Sequence, residues 1–262
     1  MKILVMGDLH GAIPKKIPKN VDLILCTGDL GKATLARKRF FENAEREKKG
    51  LPILEENKSF VKAVHDEIHN STLNVLNYLS KIAFVYTISG NVGVYGKSDS
   101  KTDYNKYKIK LSSTLDELKK IKGINLVKNS VRNLNGLKVG FLEYFVDSSW
   151  AKEFKPEDKK LKNSSRKISS KREKILKRFG DLDILVCHQP PYGVLDKVGN
   201  LAPKMWQGKH AGSKVILNYI KKYQPRYVFC GHIHEGHGKA KIGKSIVYNC
   251  GSDGDYIFVD IK

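Results

Sequence analysis

The stretch Ile3-Leu4-Val5-Met6-Gly7-Asp8-Leu9-His10 begins as a run of apolar residues and ends in a glycine followed by polar side chains. Short apolar runs rich in β-branched residues are typical of buried strands. If several such strands are parallel, their carboxyl ends bring the polar side chains to the same edge of one sheet. Four further apolar runs end in a similar way, at Gly28-Asp29, Gly90-Asn91, His188-Gln189-Pro190-Pro191 and Gly231-His232-Ile233-His234.

The strand ends carry side chains that can bind metal ions. Any one of these short motifs alone is more commonly a turn or a surface histidine. Five of them in the same kind of position point instead to a shared role. Oxygen and nitrogen donors without a thiolate suit two divalent ions that share a bridging carboxylate. The candidate metal ligands are Asp8, His10, Asp29, Asn91, His188, His232 and His234.

In their order along the chain, these motifs resemble the signature of the calcineurin-like metallophosphoesterases, which runs D-x-H, GD, GNH, H and GHxH. The stretches 188–193 and 231–238 look like the branch of small phosphodiesterases related to the mammalian metallophosphoesterase-domain proteins. Asn249-Cys250-Gly251-Ser252 is similar to the closing N-P-G-S turn of the family, with Cys250 in place of the proline. The resemblance implies an α/β fold with two mixed β-sheets packed as a sandwich and flanked by helices, in a single domain over residues 1–262.

The resemblance also implies roles for the candidate ligands. The first metal would take Asp8, His10 and His234, and the second would take Asn91, His188 and His232. Asp29 would bridge the two ions, and both Asp29 and Asn91 would act directly in catalysis. Mn²⁺ is the expected metal, with Fe, Zn or Ni as alternatives, because metal availability and site geometry outweigh raw affinity.

One position departs from the family signature. Where the family has G-N-H, this chain has Gly90-Asn91-Val92. The missing histidine is the residue usually credited with protonating the leaving alkoxide, and Val92 cannot move a proton. His210 and His237 are the predicted substitutes, with Tyr95 and Tyr192 as phenol donors.

The chain is strongly basic, with 48 Lys and Arg against 27 Asp and Glu and a formal net charge of +21. Lys152 to Arg178 alone holds twelve basic and four acidic residues. We expect this segment, in a basic insertion around 148–180, to form two short polar helices or a mobile insertion. It is either a solvated face or a contact for nucleic acid.

Two classes of function fit these features. The first is an active phosphodiesterase that hydrolyses a small phosphodiester or a nucleotide. The second is a metal-binding scaffold with little or no activity, in which Val92, in place of the family's histidine, reflects the loss of catalysis. A variant of the first is a nuclease that holds a nucleic-acid backbone on the basic segment. The sequence leaves the oligomeric state open.

The sequence also predicts a compartment and the main elements. The chain has no membrane-spanning segment, and its four cysteines lack disulfide-scaffold spacing, so we expect a cytoplasmic protein with buried cysteines.

Helices are predicted over 34–48, 57–81 and 215–221, and a hairpin turn at Asn135-Gly136 starts a second sheet. The tail from 241 to 261 alternates like antiparallel strands. His65 and His69, four residues apart, are interpreted as part of a solvated helix face.

Overall fold

The computed structural model describes residues 1–261 as two mixed β-sheets flanked by helices, which confirms the expected fold class. The strands are β1 (Lys2–Met6), β2 (Leu23–Cys26), β3 (Phe84–Thr87), β4 (Ile124–Leu126), β5 (Ser130–Leu134), β6 (Leu137–Leu142), β7 (Ile184–Cys187), β8 (Tyr227–Cys230), β9 (Gly238–Ile242), β10 (Ser245–Asn249) and β11 (Tyr256–Asp260). The helices are α1 (Thr34–Lys48), α2 (Lys58–Ser80), α3 (Lys97–Tyr107), α4 (Thr114–Leu118), α5 (Ser148–Phe154), α6 (Lys159–Phe179) and α7 (Lys214–Tyr223).

The two sheets share one core. The first sheet has the order β11-β1-β2-β3-β4, and the second has the order β5-β6-β7-β8-β10-β9. Strands β1 to β4 are parallel, as are β6, β7, β8 and β10, and the antiparallel strands β11, β5 and β9 lie at sheet edges. Val5 and Leu25 of the first sheet pack in the same buried cluster as Phe141, Val186 and Phe229 of the second.

The expectation that all the polar motifs lie on one sheet is wrong. Strands β1, β2 and β3 belong to the first sheet, whereas β7 and β8 belong to the second. Apart from β3, where Phe84 is exposed, these runs are buried on both faces, so the apolar pattern identifies a strand without telling which sheet it joins. The carboxyl ends of both sets of parallel strands meet along one side of the sandwich, where the candidate ligands lie.

The predicted long helices and the hairpin are confirmed. Helix α1 has the predicted bounds, and α2 begins after Asn57, whose side chain accepts a hydrogen bond from the backbone N–H of Phe60. Asn135 and Gly136 both have positive φ, which suits the tight turn between β5 and β6. In the tail, β9 pairs antiparallel with β10 and β11 pairs antiparallel with β1, as expected for antiparallel strands, but β10 also runs parallel to β8.

The basic segment forms two helices, α5 and α6, but α6 is neither short nor wholly polar. It runs for 21 residues and packs one face onto the protein, with Leu176 and Phe179 in the core beside α7. Ser165 and Ser169, which suggest helix breaks in the sequence, lie buried one turn apart on that face. Small residues at this spacing let a helix pack closely, so the expectation of a mobile insertion is wrong.

All four cysteines are buried and unpaired, as predicted. Burial raises the pKa of the Cys26 thiol to about 12, so this group behaves as a small apolar side chain. Over residues 1–261, the structure contains no helix that is both long and apolar enough to cross a membrane.

Candidate metal centre

The Asp8 carboxylate is the centre of the site. Asp8 follows β1 and is fully buried, and one of its oxygens, Oδ2, accepts a hydrogen bond of 2.7 Å from the backbone N–H of His232. Its other oxygen, Oδ1, has no hydrogen-bond partner among the residues that the structure describes. A buried carboxylate oxygen without a donor is costly unless a cation binds it.

A first group of ligands contains Asp8, His10 and His234, with ligand atoms within 4.8 Å of one another. The Nε2 atoms of His10 and His234 are 3.2 Å apart, and His234 Nε2 is 3.4 Å from Asp8 Oδ2. Two nitrogens bound to one ion at bond lengths of about 2.1 Å lie roughly 3 Å apart, so this spacing suits a shared metal. These are the three residues that the resemblance assigns to the first metal.

A second group contains Asp8, Asp29 and His188. His188 Nε2 lies 3.7 Å from Asp29 Oδ2 and 2.6 Å from Asn91 Oδ1. The other ring nitrogen, Nδ1, lies 2.9 Å from the carbonyl oxygen of Thr27, which suits a proton on Nδ1 and a free lone pair on Nε2. The ring of His232 lies beside that of His188, with centroids 4.8 Å apart.

Glycine is required where the motifs approach one another. The backbone N–H of Val92 donates to Asp29 Oδ1 at 2.8 Å, which brings the Gly90-Asn91 turn against this carboxylate. Gly90 has a φ of +78°, and a Cβ atom there would lie 2.2 Å from Asp29 Oδ1. A Cβ on Gly231 would lie equally close to Asp8 Oδ1. Larger residues at either position would push the carboxylates out of the site.

The buried ionisable groups of the site shift one another's pKa values. Burial raises the pKa of Asp29, and the neighbouring charge of Asp8 adds to this effect. Burial also acts to raise the pKa of Asp8, but His188, His234 and His10 together hold it below its usual value. Burial and the charge of His188 lower the pKa of His232 to about 3, which keeps this imidazole neutral and able to bind a metal.

The donor set therefore fits two divalent ions. It offers imidazole nitrogens, two carboxylates and an amide oxygen, as borderline metals prefer. The two groups differ from the expected arrangement, because Asp8 belongs to both of them and His232 to neither, whereas the resemblance gives the bridging role to Asp29 and places His232 on the second metal. The individual metal assignments stay predictions.

The two proposed substitute histidines each lie beside a carboxylate that is not among the candidate ligands. His210 Nδ1 lies 2.7 Å from Asp196 Oδ1, and His237 Nδ1 lies 3.5 Å from Asp255 Oδ2. Both side chains are more than a third exposed, and neither lines the cleft above the candidate ligands. Helix α7 begins after Ser213, which is its N-cap, so His210 lies in the loop before the helix. Their catalytic roles stay predictions.

The cleft above the ligands has a volume of about 860 Å³. The cleft is lined by His10, Asp29, Asn91, His232 and His234. A second cavity of about 770 Å³ shares Val92 and Phe40 with it. Tyr95 lines that second cavity and donates a hydrogen bond to Asp103.

His65 and His69 also line the second cavity, so their interpretation as a solvated face is wrong. Their rings stack with centroids 5.1 Å apart. His65 is buried, with Nε2 2.9 Å from the carbonyl oxygen of Ser112, and His69 Nδ1 lies 2.8 Å from Thr114 Oγ1. Helix α4 and the residues just before it cover this face of α2, and no amphipathic pattern within α2 reveals that contact.

Sequence reasoning missed three residues beside the site. Tyr144 lies against His188 and His232, and burial followed by the charge of Asp29 raises the pKa of its phenol to about 12. Glu143 accepts hydrogen bonds from the backbone N–H and the hydroxyl of Ser89. Both follow β6, so the strand-end rule could have found them. Arg37 on α1 also lines the cleft, and no local pattern marks it.

Comparisons with known proteins agree with this geometry. A family model described as "Metallophosphoesterase, calcineurin superfamily" matches residues 108–262. Metallophosphoesterase domain-containing protein 1 of Homo sapiens is 41% identical over 69 residues, which make up 26% of this chain and 19% of that protein. The uncharacterized protein MJ1162 of Methanocaldococcus jannaschii is 38% identical over 80 residues, 30% of this chain and 34% of that protein. The matched stretches thus span only a fifth to a third of these two relatives.

A solved crystal structure shares the fold, with a TM-score of 0.60 and 16% sequence identity. The similarity covers 99% of this chain and 94% of that one. The family model covers more than half of the sequence and includes the strand ends after β7 and β8. The chain therefore belongs to the calcineurin superfamily of metallophosphoesterases.

Proposed function

We propose that this protein is a phosphodiesterase that hydrolyses a small phosphodiester or a nucleotide with two divalent ions, Mn²⁺ being the first choice. The observation that carries this proposal is the convergence of two ligand groups on Asp8, one with His10 and His234 and one with Asp29 and His188. Two bound ions in such a centre supply a hydroxide at neutral pH and neutralise the phosphoryl oxygens.

The candidate ligands would hold the two ions, and backbone groups would orient these ligands. Asp8, His10 and His234 would hold one ion, Asn91, His188 and His232 the other, and Asp29 would bridge them. The N–H of Val92 and the carbonyl of Thr27 orient Asp29 and His188, respectively. Such outer contacts fix the donor atoms before substrate arrives.

Substrate charge and leaving group are handled by other side chains. Arg37 adds a positive charge to the cleft, and the protonated Tyr144 phenol lies beside the site. Because Val92 stands where the family has a proton donor, we expect leaving groups of low pKa, such as phenolates, to be favoured over simple alkoxides.

Hydrolysis of nucleic acid is a second candidate function, favoured by the charge of α6. This helix holds ten basic residues and one acidic residue, and most of these side chains are exposed. We expect binding of a fluorescent 20-nucleotide DNA strand to weaken steeply with salt. Lys159→Gln with Arg166→Gln would reduce the salt slope by about two, whereas Lys119→Gln with Lys120→Gln, just after α4, would leave it unchanged. DNA binding without this dependence would contradict the second candidate.

The proposed compartment is the cytoplasm, supported by four buried cysteines that form no disulfide.

An activity assay distinguishes the phosphodiesterase from the remaining alternative, a metal-binding scaffold. Metal-stripped protein is assayed with bis(p-nitrophenyl) phosphate and with p-nitrophenyl phosphate, with and without Mn²⁺. The proposal predicts Mn²⁺-dependent cleavage that favours the diester and is lost in Asp29→Asn. Binding of two ions without turnover would contradict it and support the scaffold.

A further inference from the structure

Aromatic side chains form one wall of the cleft, away from the candidate ligands. Phe40 and Phe41 on α1 lie with ring centroids 5.7 and 6.1 Å from that of Trp206, and Trp150 on α5 lies 6.4 Å from the same ring. Trp206 is buried, whereas Phe40 is 52% exposed. An exposed aromatic ring at the edge of a buried aromatic cluster, inside a cleft, is typical of a ligand-binding surface.

We call the surface formed by Phe40, Phe41, Trp150 and Trp206 the aromatic recess. Arg37 lines the cleft between this recess and the metal centre. It is four residues before Phe41 on the same helix, and its guanidinium lies 5.4 Å from the centre of the Phe41 ring. Arg37 lines the cleft together with His232 and His234. Within residues 1–261, Arg37 forms no ion pair with a carboxylate. Its guanidinium is therefore free to bind an anionic group.

We propose that this recess holds the nucleoside part of a phosphodiester substrate, with the base against Phe40 and Arg37 donating to a phosphoryl oxygen. The inference rests on the proposed function and names the substrate class for it. It goes beyond the family match, because α1 lies outside the matched residues 108–262.

The chemistry of the recess favours a base over an aliphatic chain. Its cleft also contains the carboxylates of Glu235 and Asp253, which would lose hydration against a hydrocarbon chain. A nucleobase and its sugar instead offer N–H and O–H donors to carboxylates while the ring stacks on an aromatic face. The volume of about 860 Å³ is in the range of small-ligand sites, so a nucleotide fits and a folded polymer does not.

The test compares two diesters with the same leaving group. Thymidine 5′-(p-nitrophenyl phosphate) and methyl p-nitrophenyl phosphate both release p-nitrophenolate, so only the second substituent differs. For Mn²⁺-loaded protein, the proposal predicts a kcat/KM at least tenfold higher for the thymidine ester. Stacking of one base on an aromatic residue typically contributes this much or more.

Two variants then place the effect on α1. Phe40→Ala should remove about tenfold of the preference for the thymidine ester, and Phe258→Ala, an exposed phenylalanine on β11, should remove none. Arg37→Gln should raise KM for both diesters, whereas Arg39→Gln, whose guanidinium donates to the Glu55 carbonyl, should not.

A binding measurement tests the aromatic recess independently of phosphodiester hydrolysis. Calorimetric titration of Mn²⁺-loaded protein with thymidine 5′-monophosphate should show binding that weakens about tenfold in Phe40→Ala. Diester hydrolysis with equal rates for both esters, unchanged in Phe40→Ala, would overturn the recess while the phosphodiesterase stands. Binding that depends on Phe40 without any hydrolysis would support the recess and overturn the phosphodiesterase. Absence of both would overturn both.

Discussion

His10 and His234 face each other with their Nε2 atoms 3.2 Å apart, although 224 positions separate them along the chain. Two neutral imidazoles cannot both direct lone pairs at one point without a proton or a cation between them. Asp8, close to both rings, supplies the negative charge that favours a cation. The contact joins the end of β1 to the end of β8, so a metal bound here would link the two sheets.

Divalent metal should therefore stabilise the fold. A ligand that binds only the folded state at 100 times its Kd adds about 2.7 kcal/mol to the free energy of unfolding. We expect EDTA to lower the Tm of the protein and Mn²⁺ to restore it, as measured by thermal melts. His10→Ala should lose a large part of this Mn²⁺ shift, and His237→Ala, whose ring is exposed, should keep it. Equal shifts in the two variants would contradict the assignment of His10.

Val92→His should restore proton donation to the leaving group. Val92 lines both the main cleft and the second cavity, and only its backbone N–H contacts Asp29, so a larger side chain has space. General acid catalysis typically contributes about 10² to 10⁴ in rate. We expect a gain in kcat of about tenfold or more for methyl esters with alkoxide leaving groups, and little gain for p-nitrophenyl esters. A similar change for both classes would argue against a missing acid.

Stability should fall on acidification because of His69. Burial, followed by the charge of His65, lowers the pKa of His69 below its ordinary 6.5. Below pH 6.5 the unfolded chain therefore binds more protons at this residue than the folded chain, and the free energy of unfolding decreases as pH falls from 6.5 towards the folded pKa. Urea denaturation at pH 7.5 and 5.5 should show a smaller loss for His69→Gln than for the wild type. The same loss in both proteins would contradict this origin.

The buried serine face of α6 should not tolerate enlargement. Ser165 is fully buried, and its hydroxyl donates to the carbonyl of Lys162, whereas its neighbour Ser164 is exposed. Adding methylene groups to a well-packed site typically costs about 1–3 kcal/mol. Ser165→Leu should lower the free energy of unfolding by this amount in urea titrations, and Ser164→Leu should change it by less than about 0.5 kcal/mol. If Ser165→Leu were as stable as Ser164→Leu, α6 would not pack as described.

The sequence predicts the strands, and the polar side chains that follow them, well because both are local features. A four-residue run such as Ile184–Cys187 is apolar throughout, since both faces of β7 are buried, and His188 follows at its end. The turn at Asn135-Gly136 likewise predicts the β5–β6 hairpin from two residues. The same rule applied to the end of β6 would have found Tyr144.

What the sequence does not predict depends on contacts between distant segments. The allocation of β7 and β8 to a second sheet follows from the pairing of β7 with β6 and of β8 with β7, which the apolar runs themselves do not specify. Ser169 resembles a loop residue until α5 is placed against it, where its hydroxyl accepts a hydrogen bond from the backbone N–H of Ser148. The recess of Phe40 and Trp206 joins α1 to a loop 166 residues later in the chain, so no spacing marks it.

The most direct test of the central claim is a titration of metal-stripped protein with Mn²⁺, in which the initial rate of bis(p-nitrophenyl) phosphate hydrolysis is plotted against equivalents of metal. The account predicts that activity rises to a plateau with a break at two equivalents per chain, and that Asp29→Asn shows no rise. Full activity at one equivalent, or activity that is independent of added metal, would contradict a two-metal phosphodiesterase.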